Sequence, residues 1–292
     1  MAKAKYKKQL CCDKVVTIGH LKSYMSKKQL RTIAGHHEIT IDRDDVFTEV
    51  YADKFYMEFL GAKSVRSIDC SDYEDCDIVH DMNQPIPAEY SKQFDVLIDG
   101  GSLEHIFNIP VAVANYMNMV KEGGSIFIWS MANNHLGHGF YQFSPEIFYR
   151  IFQPENGFVI NEMVLVKHPF PGAELSNRVK TYSVADPAEL KRRVELVSRS
   201  PISIMVHAIR TSTVPIFNNY PIQSDYVLAH AGHDQDKNTS NEVAVPPKRN
   251  VAKSMIKKFM PLRCQHYLLG KYQLWLNSFS NKRFFKKWDS HS

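Results

Sequence analysis

Phe94-Asp95-Val96-Leu97-Ile98-Asp99-Gly100-Gly101 is the stretch that decides the fold. An apolar run of strand length ends in an acid, and two glycines then let the backbone turn sharply. A run with no polar alternation suits a strand buried on both faces, as in a parallel sheet covered by helices. Two segments upstream also end in an acid, but with alternating apolar positions. Ser64-Val65-Arg66-Ser67-Ile68-Asp69 and Cys76-Asp77-Ile78-Val79-His80-Asp81 both read as strands that close on an acid. Further back, Val15-Val16-Thr17-Ile18-Gly19 reads as a short buried strand ending in glycine.

Helical spacing fills the gaps. Val46, Val50, Phe55, Met57, Phe59 and Leu60 recur at that spacing, with Asp44 or Asp45 as cap and Gly61 as stop. A second helix is expected from Pro110 to Lys121, ended by Gly123-Gly124. Ser125-Ile126-Phe127-Ile128-Trp129 is the next strand. Ser144 caps a helix at Pro145, and residues 158–166 form another strand. Asp186-Pro187-Ala188-Glu189 opens a helix expected to reach Ser198, and residues 202–209 close the series as a strand. Residues 20–44 read as a polar, irregular loop, with His36-His37 solvated. Pro85 and Pro87 make residues 83–87 a loop. The sum is an α/β domain over residues 12–215 with a doubly wound, Rossmann-like sheet of about seven strands.

Bulk properties agree. The chain has 292 residues, 44% hydrophobic and 23% charged, enough for one large domain and an appendage. No apolar run reaches the roughly 18 residues of a spanning helix, and the basic start carries no apolar leader stretch, so a cytoplasmic protein is expected. The five cysteines form no Cys-x-x-Cys pair and read as reduced thiols. The net charge of +5 is uneven. Residues 246–292 hold eleven Lys or Arg and one acid, Asp289, so the preceding chain is acidic. A linker is expected over residues 216–250 and a basic, aromatic-rich tail over 251–292, balanced at the other end by a basic segment, 1–11. Such a tail suits a membrane surface first, then a protein partner, and nucleic acid last.

In open α/β sheets ligands bind beyond the carboxyl ends of the strands. That makes Gly19, Asp69, Asp81 and Asp99-Gly100-Gly101 the first suspects. Asp69 is placed to accept both hydroxyls of a ribose, and Asp81 to accept from an exocyclic amine of a base. The competing reading of each is a solvated strand end or a helix cap. Asn133, Asn134, His135, His138 and Tyr141 lie in the loop after the fifth strand, with side chains suited to a polar acceptor such as a sugar. His135-x-x-His138 has metal-ligand spacing, but no acid lies close in sequence, so no metal is assigned.

The chain from Leu60 to Phe158 resembles the class I S-adenosylmethionine-dependent methyltransferases of bacteria. The likeness is carried by Leu60-Gly61-Ala62-Lys63-Ser64-Val65-Arg66-Ser67-Ile68-Asp69, Asp99-Gly100-Gly101-Ser102-Leu103-Glu104-His105-Ile106-Phe107, Lys121-Glu122-Gly123-Gly124, and the segment Asn133 to Pro145. The resemblance implies S-adenosylmethionine as cofactor. It puts Asp69 at the ribose, Asp81 and the backbone of Met82 at the adenine, and Asp99 and Gly100 at the methionine end. It also implies a last strand antiparallel to the rest. Transfer to a hydroxyl needs a proton acceptor, for which His105 is the candidate, with Glu104 orienting it or binding substrate. The family association suggests O-methylation of a small-molecule or carbohydrate acceptor, with a link to surface polysaccharide. One departure stands out: the family's Gly-x-Gly-x-Gly turn is replaced by Ile18-Gly19-His20-Leu21-Lys22, with one glycine, and Asp69 follows 50 positions later. Either residues 20–44 rebuild that loop or cofactor binding is weakened. A non-catalytic interaction module, and an enzyme using a nicotinamide or a nucleotide sugar, are the alternatives.

Overall fold

The computed structural model describes residues 10–23, 26–36, 39, 51–170, 178–227 and 262–288. Among the described residues, nine strands form one sheet in the order β3-β2-β1-β4-β5-β8-β6-β7-β9. They are β1 (Lys14–Ile18), β2 (Ser64–Asp69), β3 (Ile78–Val79), β4 (Phe94–Asp99), β5 (Val120–Asn133), β6 (Phe158–Lys167), β7 (Lys180–Val184), β8 (Ile202–Arg210) and β9 (Phe285–Lys287). The first five pair with one another in parallel. β8 lies between β5 and β6 and is antiparallel to both. The doubly wound plan and the antiparallel strand over 202–209 are as expected. The strand count is not, because β7 and β9 are short, polar strands at one edge of the sheet.

All six residues of β4 are buried, as its apolar run requires. The helices of this part of the chain are α1 (Lys27–His36), α2 (Asp53–Leu60), α3 (Ile109–Met119) and α4 (Pro145–Ile151) in chain order. α1 corrects the expectation of a loop over 20–44. Ser26 and Gln29 form a reciprocal cap: the Ser26 amide donates to Gln29 Oε1 and the Gln29 amide to Ser26 Oγ. Leu30 and Ala34, four apart, bury against Phe59 of α2. The expected cap at Asp44 or Asp45, with Val46 and Val50, lies outside the described residues, as does His37. Gly61 ends α2 in the left-handed conformation, as the sequence suggests.

Two further corrections follow from hydrogen bonding. α3 stops at Met119 without using the glycines; Gly123 and Gly124 instead lie inside β5, where the register against β4 shifts between Phe94 and Val96. The helix begun at Asp186 is only α5 (Pro187–Leu190). Asp186 caps it by accepting from the Ala188 amide, but Lys191 turns left-handed (φ 50°). Arg192 then stacks on Phe284 and Arg193 pairs with Asp225 at 2.7 Å, which draws the chain away from a helical path.

By contact the chain divides into two units: residues 1–183, 200–221 and 287–292, and residues 184–199 and 222–286. The first contains the sheet core. The second holds α5 and α6 (Leu262–Leu276), with Phe284 and Phe285 buried and Asn277 accepting from the Val197 amide. α6 exposes Tyr267, Leu268, Tyr272 and Trp275. No helix among the described residues is long and apolar enough to cross a membrane. The expected linker beyond residue 227, the tail over 251–261 and residues 1–9 and 289–292 fall outside the description.

Arg210 is the largest buried side chain of the core unit, at 1% exposure. Its Nη1 donates to the carbonyls of Met117 and Val120, both at 2.8 Å, and so closes the end of α3 where no helical donor remains. Its guanidinium sits over the Phe158 ring. Arg210→Ala would leave two buried carbonyls unpaired and open a void, so unfolding free energy should fall by about 3 kcal/mol or more in a urea titration.

Candidate functional site

The site lies where strand order reverses. β1 is flanked by β2 on one side and β4 on the other, and their ends are level: Ile18 pairs with Ile68 and with Asp99. Chain connections leave the sheet in opposite directions there, which opens a crevice at the carboxyl ends. Gly19 makes the turn. Its φ of 77° is left-handed, and its amide donates to the Ile68 carbonyl at 2.7 Å. A side-chain carbon on Gly19 would lie 3.4 Å from Ser102 Oγ and 3.9 Å from Asp69 Oδ2, so its absence keeps those two oxygens facing open backbone.

The acids differ in environment. Asp69 is half-buried and its Oδ1 accepts from the Cys70 amide at 2.6 Å. Asp81 is exposed and accepts from both nitrogens of Asn83, whose hydrogen bonds hold its carboxyl below the usual range. Met82 is buried beside it. Buried Asn115, on α3, donates to the carbonyls of Met82 and Gln84 and accepts from the Ile86 amide. It fixes the 82–86 loop that carries Asp81, a role that a lone Asn in a helix gave no means of finding.

Asp99 faces inward. At 1% exposure, its Oδ1 accepts from the amides of Gly101 (2.9 Å) and Ser102 (2.7 Å), and its Oδ2 from the Leu103 amide (3.1 Å) and the Tyr116 hydroxyl (3.0 Å). Four donors on one carboxylate make it the organiser of the turn. Burial pushes its carboxyl up to about 6, against the downward pull of the Ser102 and Gly101 amides. Ser102 Oγ then donates to the Ile18 carbonyl, tying the β4 turn to the end of β1.

The glycine-poor loop after β1 is rebuilt. The His20 ring stacks on Tyr51 at 3.5 Å, and its Nε2 meets Asp53 Oδ2 at 2.8 Å. The Ala52 amide donates to the Leu21 carbonyl, and Lys22 bridges to Tyr51. Burial alone would lower the His20 pKa, yet the Glu74 carbonyl and the Asp53 carboxylate together raise it. Leu21 is pressed over Gly100: a side-chain carbon there would lie 2.9 Å from Leu21 Cδ2. Leu21, Asp99 and Gly100 also border an apolar cavity of about 290 Å³, lined as well by Phe127, Trp129 and Met205.

A second group of side chains lies past the β4 turn. Residues Leu103–His105 form one 3-10 turn. The Glu104 carbonyl accepts from the amides of Phe140 (2.8 Å) and Tyr141 (3.2 Å), which pins the loop after β5 against that turn. Gly139 permits the approach, since a side-chain carbon there would come within 2.8 Å of the Glu104 carbonyl oxygen. The Glu104 side chain is wholly buried, with Oε2 accepting from Ser130 Oγ at 2.6 Å. His105 and His138 are exposed, their rings 5.3 Å apart, and His138 Nε2 lies 3.6 Å from Glu104 Oε1. His135 is buried 6.0 Å from the His138 ring. The Tyr141 hydroxyl donates to the Phe107 carbonyl. Asn134, left-handed at φ 58°, donates to the Ser200 carbonyl, and Asn133 pairs with Ile202 in the sheet. Glu104, His105, His135, His138 and Tyr141 are thus brought together, whereas Asn133 and Asn134 are held at the end of the β5–β8 ladder.

No family model matches the chain, and no curated protein matches it. Among solved structures it is similar to the YcgJ protein of Bacillus subtilis, at 12% identity and TM-score 0.41, over 73% of this chain and 98% of that one. It is similar to the 1,6-didemethyltoxoflavin-N1-methyltransferase of Burkholderia thailandensis, at 12% identity and TM-score 0.39, over 72% and 77%. A branched-chain polyamine synthase from Thermus thermophilus is similar at 13% identity and TM-score 0.34, over 76% and 58%.

The environment of Asp99 has a pH signature. Its folded-state pKa lies above its ordinary value of 3.8, so its contribution to stability is full below that value and is lost as pH rises through about 6. The stability difference between wild type and Asp99→Asn should shift by about 3 kcal/mol between pH 3.5 and pH 7, in the direction that disfavours wild type at high pH. Urea titrations at several pH values check it, and a flat difference would contradict the assignment.

Proposed function

We propose that this chain is an S-adenosylmethionine-dependent methyltransferase acting on an oxygen of a small-molecule or carbohydrate acceptor. The observation that carries the reading is the crevice at the end of β1, where the tight Gly19 turn faces Asp69 and Asp81 follows just beyond the next strand, β3. A half-exposed carboxylate beside bare backbone suits a ribose, whose two hydroxyls need a paired acceptor. An exposed acid held by Asn83 suits an exocyclic amine. The nucleoside end of the cofactor therefore fits the residues present. The methionine end fits once Leu21 turns off Gly100; the Asp99 carboxylate, fully used by its own turn, would act by shaping that turn.

When bound, the cofactor supplies an activated methyl group, so the protein's work is alignment and removal of one proton. The Glu104–His105 turn and the 135–141 loop stand beside the β4 end and would receive the acceptor. His105 is exposed there and can take the hydroxyl proton as the oxygen attacks. The polysaccharide connection rests on family association alone.

Calorimetric titration with S-adenosylmethionine, and separately with NADH, tests the reading. Binding of the first alone is expected; no binding of either at millimolar ligand would leave the non-catalytic reading. Asp69→Ala should lower cofactor affinity at least tenfold, which corresponds to about 1.4 kcal/mol. His105→Ala should slow transfer at least a hundredfold with cofactor affinity unchanged; an unaltered rate would remove His105 from the mechanism.

A further inference from the structure

Within the acceptor side of this site one group is unexplained. Glu104 is 0% exposed and one oxygen, Oε2, is satisfied by Ser130. The other, Oε1, has no hydrogen-bond partner. A buried carboxylate oxygen left bare is strongly unfavourable unless a cation meets it. Two imidazoles stand beside the bare oxygen. One nitrogen of His105, one of His138 and a Glu104 oxygen all lie within 4.8 Å of one another. His138 Nε2 is 3.6 Å from Oε1, too long for a hydrogen bond and close to the spacing of two ligands on one ion.

We infer that Glu104, His105 and His138 form a binding site for one first-row divalent transition-metal ion. Two imidazoles and one carboxylate favour zinc, cobalt, manganese or iron(II) over magnesium or calcium, which prefer all-oxygen sites. The carboxylate is the fixed ligand, oriented by Ser130 as outer-shell ligands usually are. The two histidines are exposed and close on the ion by side-chain rotation of an ångström or so. Three protein ligands leave positions open toward solvent, the arrangement of a site that binds substrate. The constellation is hidden in sequence because the acid lies 34 positions before His138; only the pinning of the 135–141 loop onto the Glu104 carbonyl brings them together.

Ion binding stands by itself; the role that follows rests on the transferase reading. An acceptor hydroxyl on the ion would lose its proton to solvent at neutral pH. Its oxygen would form the new bond to the methyl carbon as the carbon–sulfur bond breaks, with the electron pair leaving on sulfur. His105 would then be a ligand, not a base.

The test is a titration of full-length, chelator-stripped protein, accessible thiols alkylated, with cobalt(II) followed by visible absorption and with zinc by calorimetry. No S-adenosylmethionine is present, so the outcome is independent of transfer. One equivalent should bind saturably, and tenfold excess magnesium should not displace it. His138→Ala and Glu104→Gln should each weaken binding at least tenfold, and Ser130→Ala roughly tenfold. His138 is exposed, so that variant should melt as wild type does and keeps the test valid even if Glu104→Gln unfolds. Absence of saturable binding, or binding that His138→Ala leaves unchanged, would overturn the inference.

Discussion

Everything at the functional edge hangs from one buried carboxylate. Asp99 ends the central strand and receives three consecutive amides, those of Gly101, Ser102 and Leu103, together with the hydroxyl of Tyr116. Those bonds dictate the turn. The turn sends Ser102 back to β1, fixing the crevice, and sends Glu104 forward to Ser130 and the loop after β5. An ionised group so deep is tolerated because the donors surround it. Asp99 thus acts as an internal cap for a strand, in the way a side chain usually caps a helix. Both halves of the site take their position from it.

The loop after β1 solves a separate problem. Where bare glycines would let backbone lie close to a ligand, this chain has His20-Leu21-Lys22 and thirty more residues before α2. The described part of that insertion is tied down by polar contacts: His20 between Tyr51, Asp53 and Glu74, and Lys22 on Glu74. These described residues are held by side-chain contacts and not by a run of glycines. One consequence is that Leu21, an apolar residue, occupies the face of Gly100.

Strands β1 and β4 were legible because burial on two faces leaves a nearly continuous apolar run, and β2 because its apolar positions alternate and close on an acid. β3 was harder to bound: only Ile78 and Val79 pair, since Asp77 turns its carboxylate to Ser67 instead. α1 was obscured by a mean composition that is polar, although Ser26 and Gln29 held a capping box in plain view. β7 and β9 lack an apolar alternation and form through pairing at an edge, a tertiary effect that no local pattern reports. The strand-end acids were identifiable as a set, yet their differences were not. Nothing local distinguishes Asp99, turned inward on four donors, from Asp81, turned outward on Asn83. The grouping of Glu104 with His138 depends on a backbone contact across 36 positions, from Glu104 to Phe140, and so exists only in the folded chain.

The position of β8 has a consequence for how the molecule is made. It is antiparallel between β5 and β6, so neither of those strands completes its ladder until residues 202–210 arrive. During synthesis the β5 edge, with Phe127 and Trp129 on one face, emerges some eighty residues before its partner. Pairing across such separations is slow, because loop closure precedes any gain from contact. A nascent chain therefore passes through an interval with two unpaired apolar edges, the condition under which strands join the wrong partner. β8 is accordingly the step that commits the chain to its native topology, and substitutions that weaken it would show first as lost yield of folded protein.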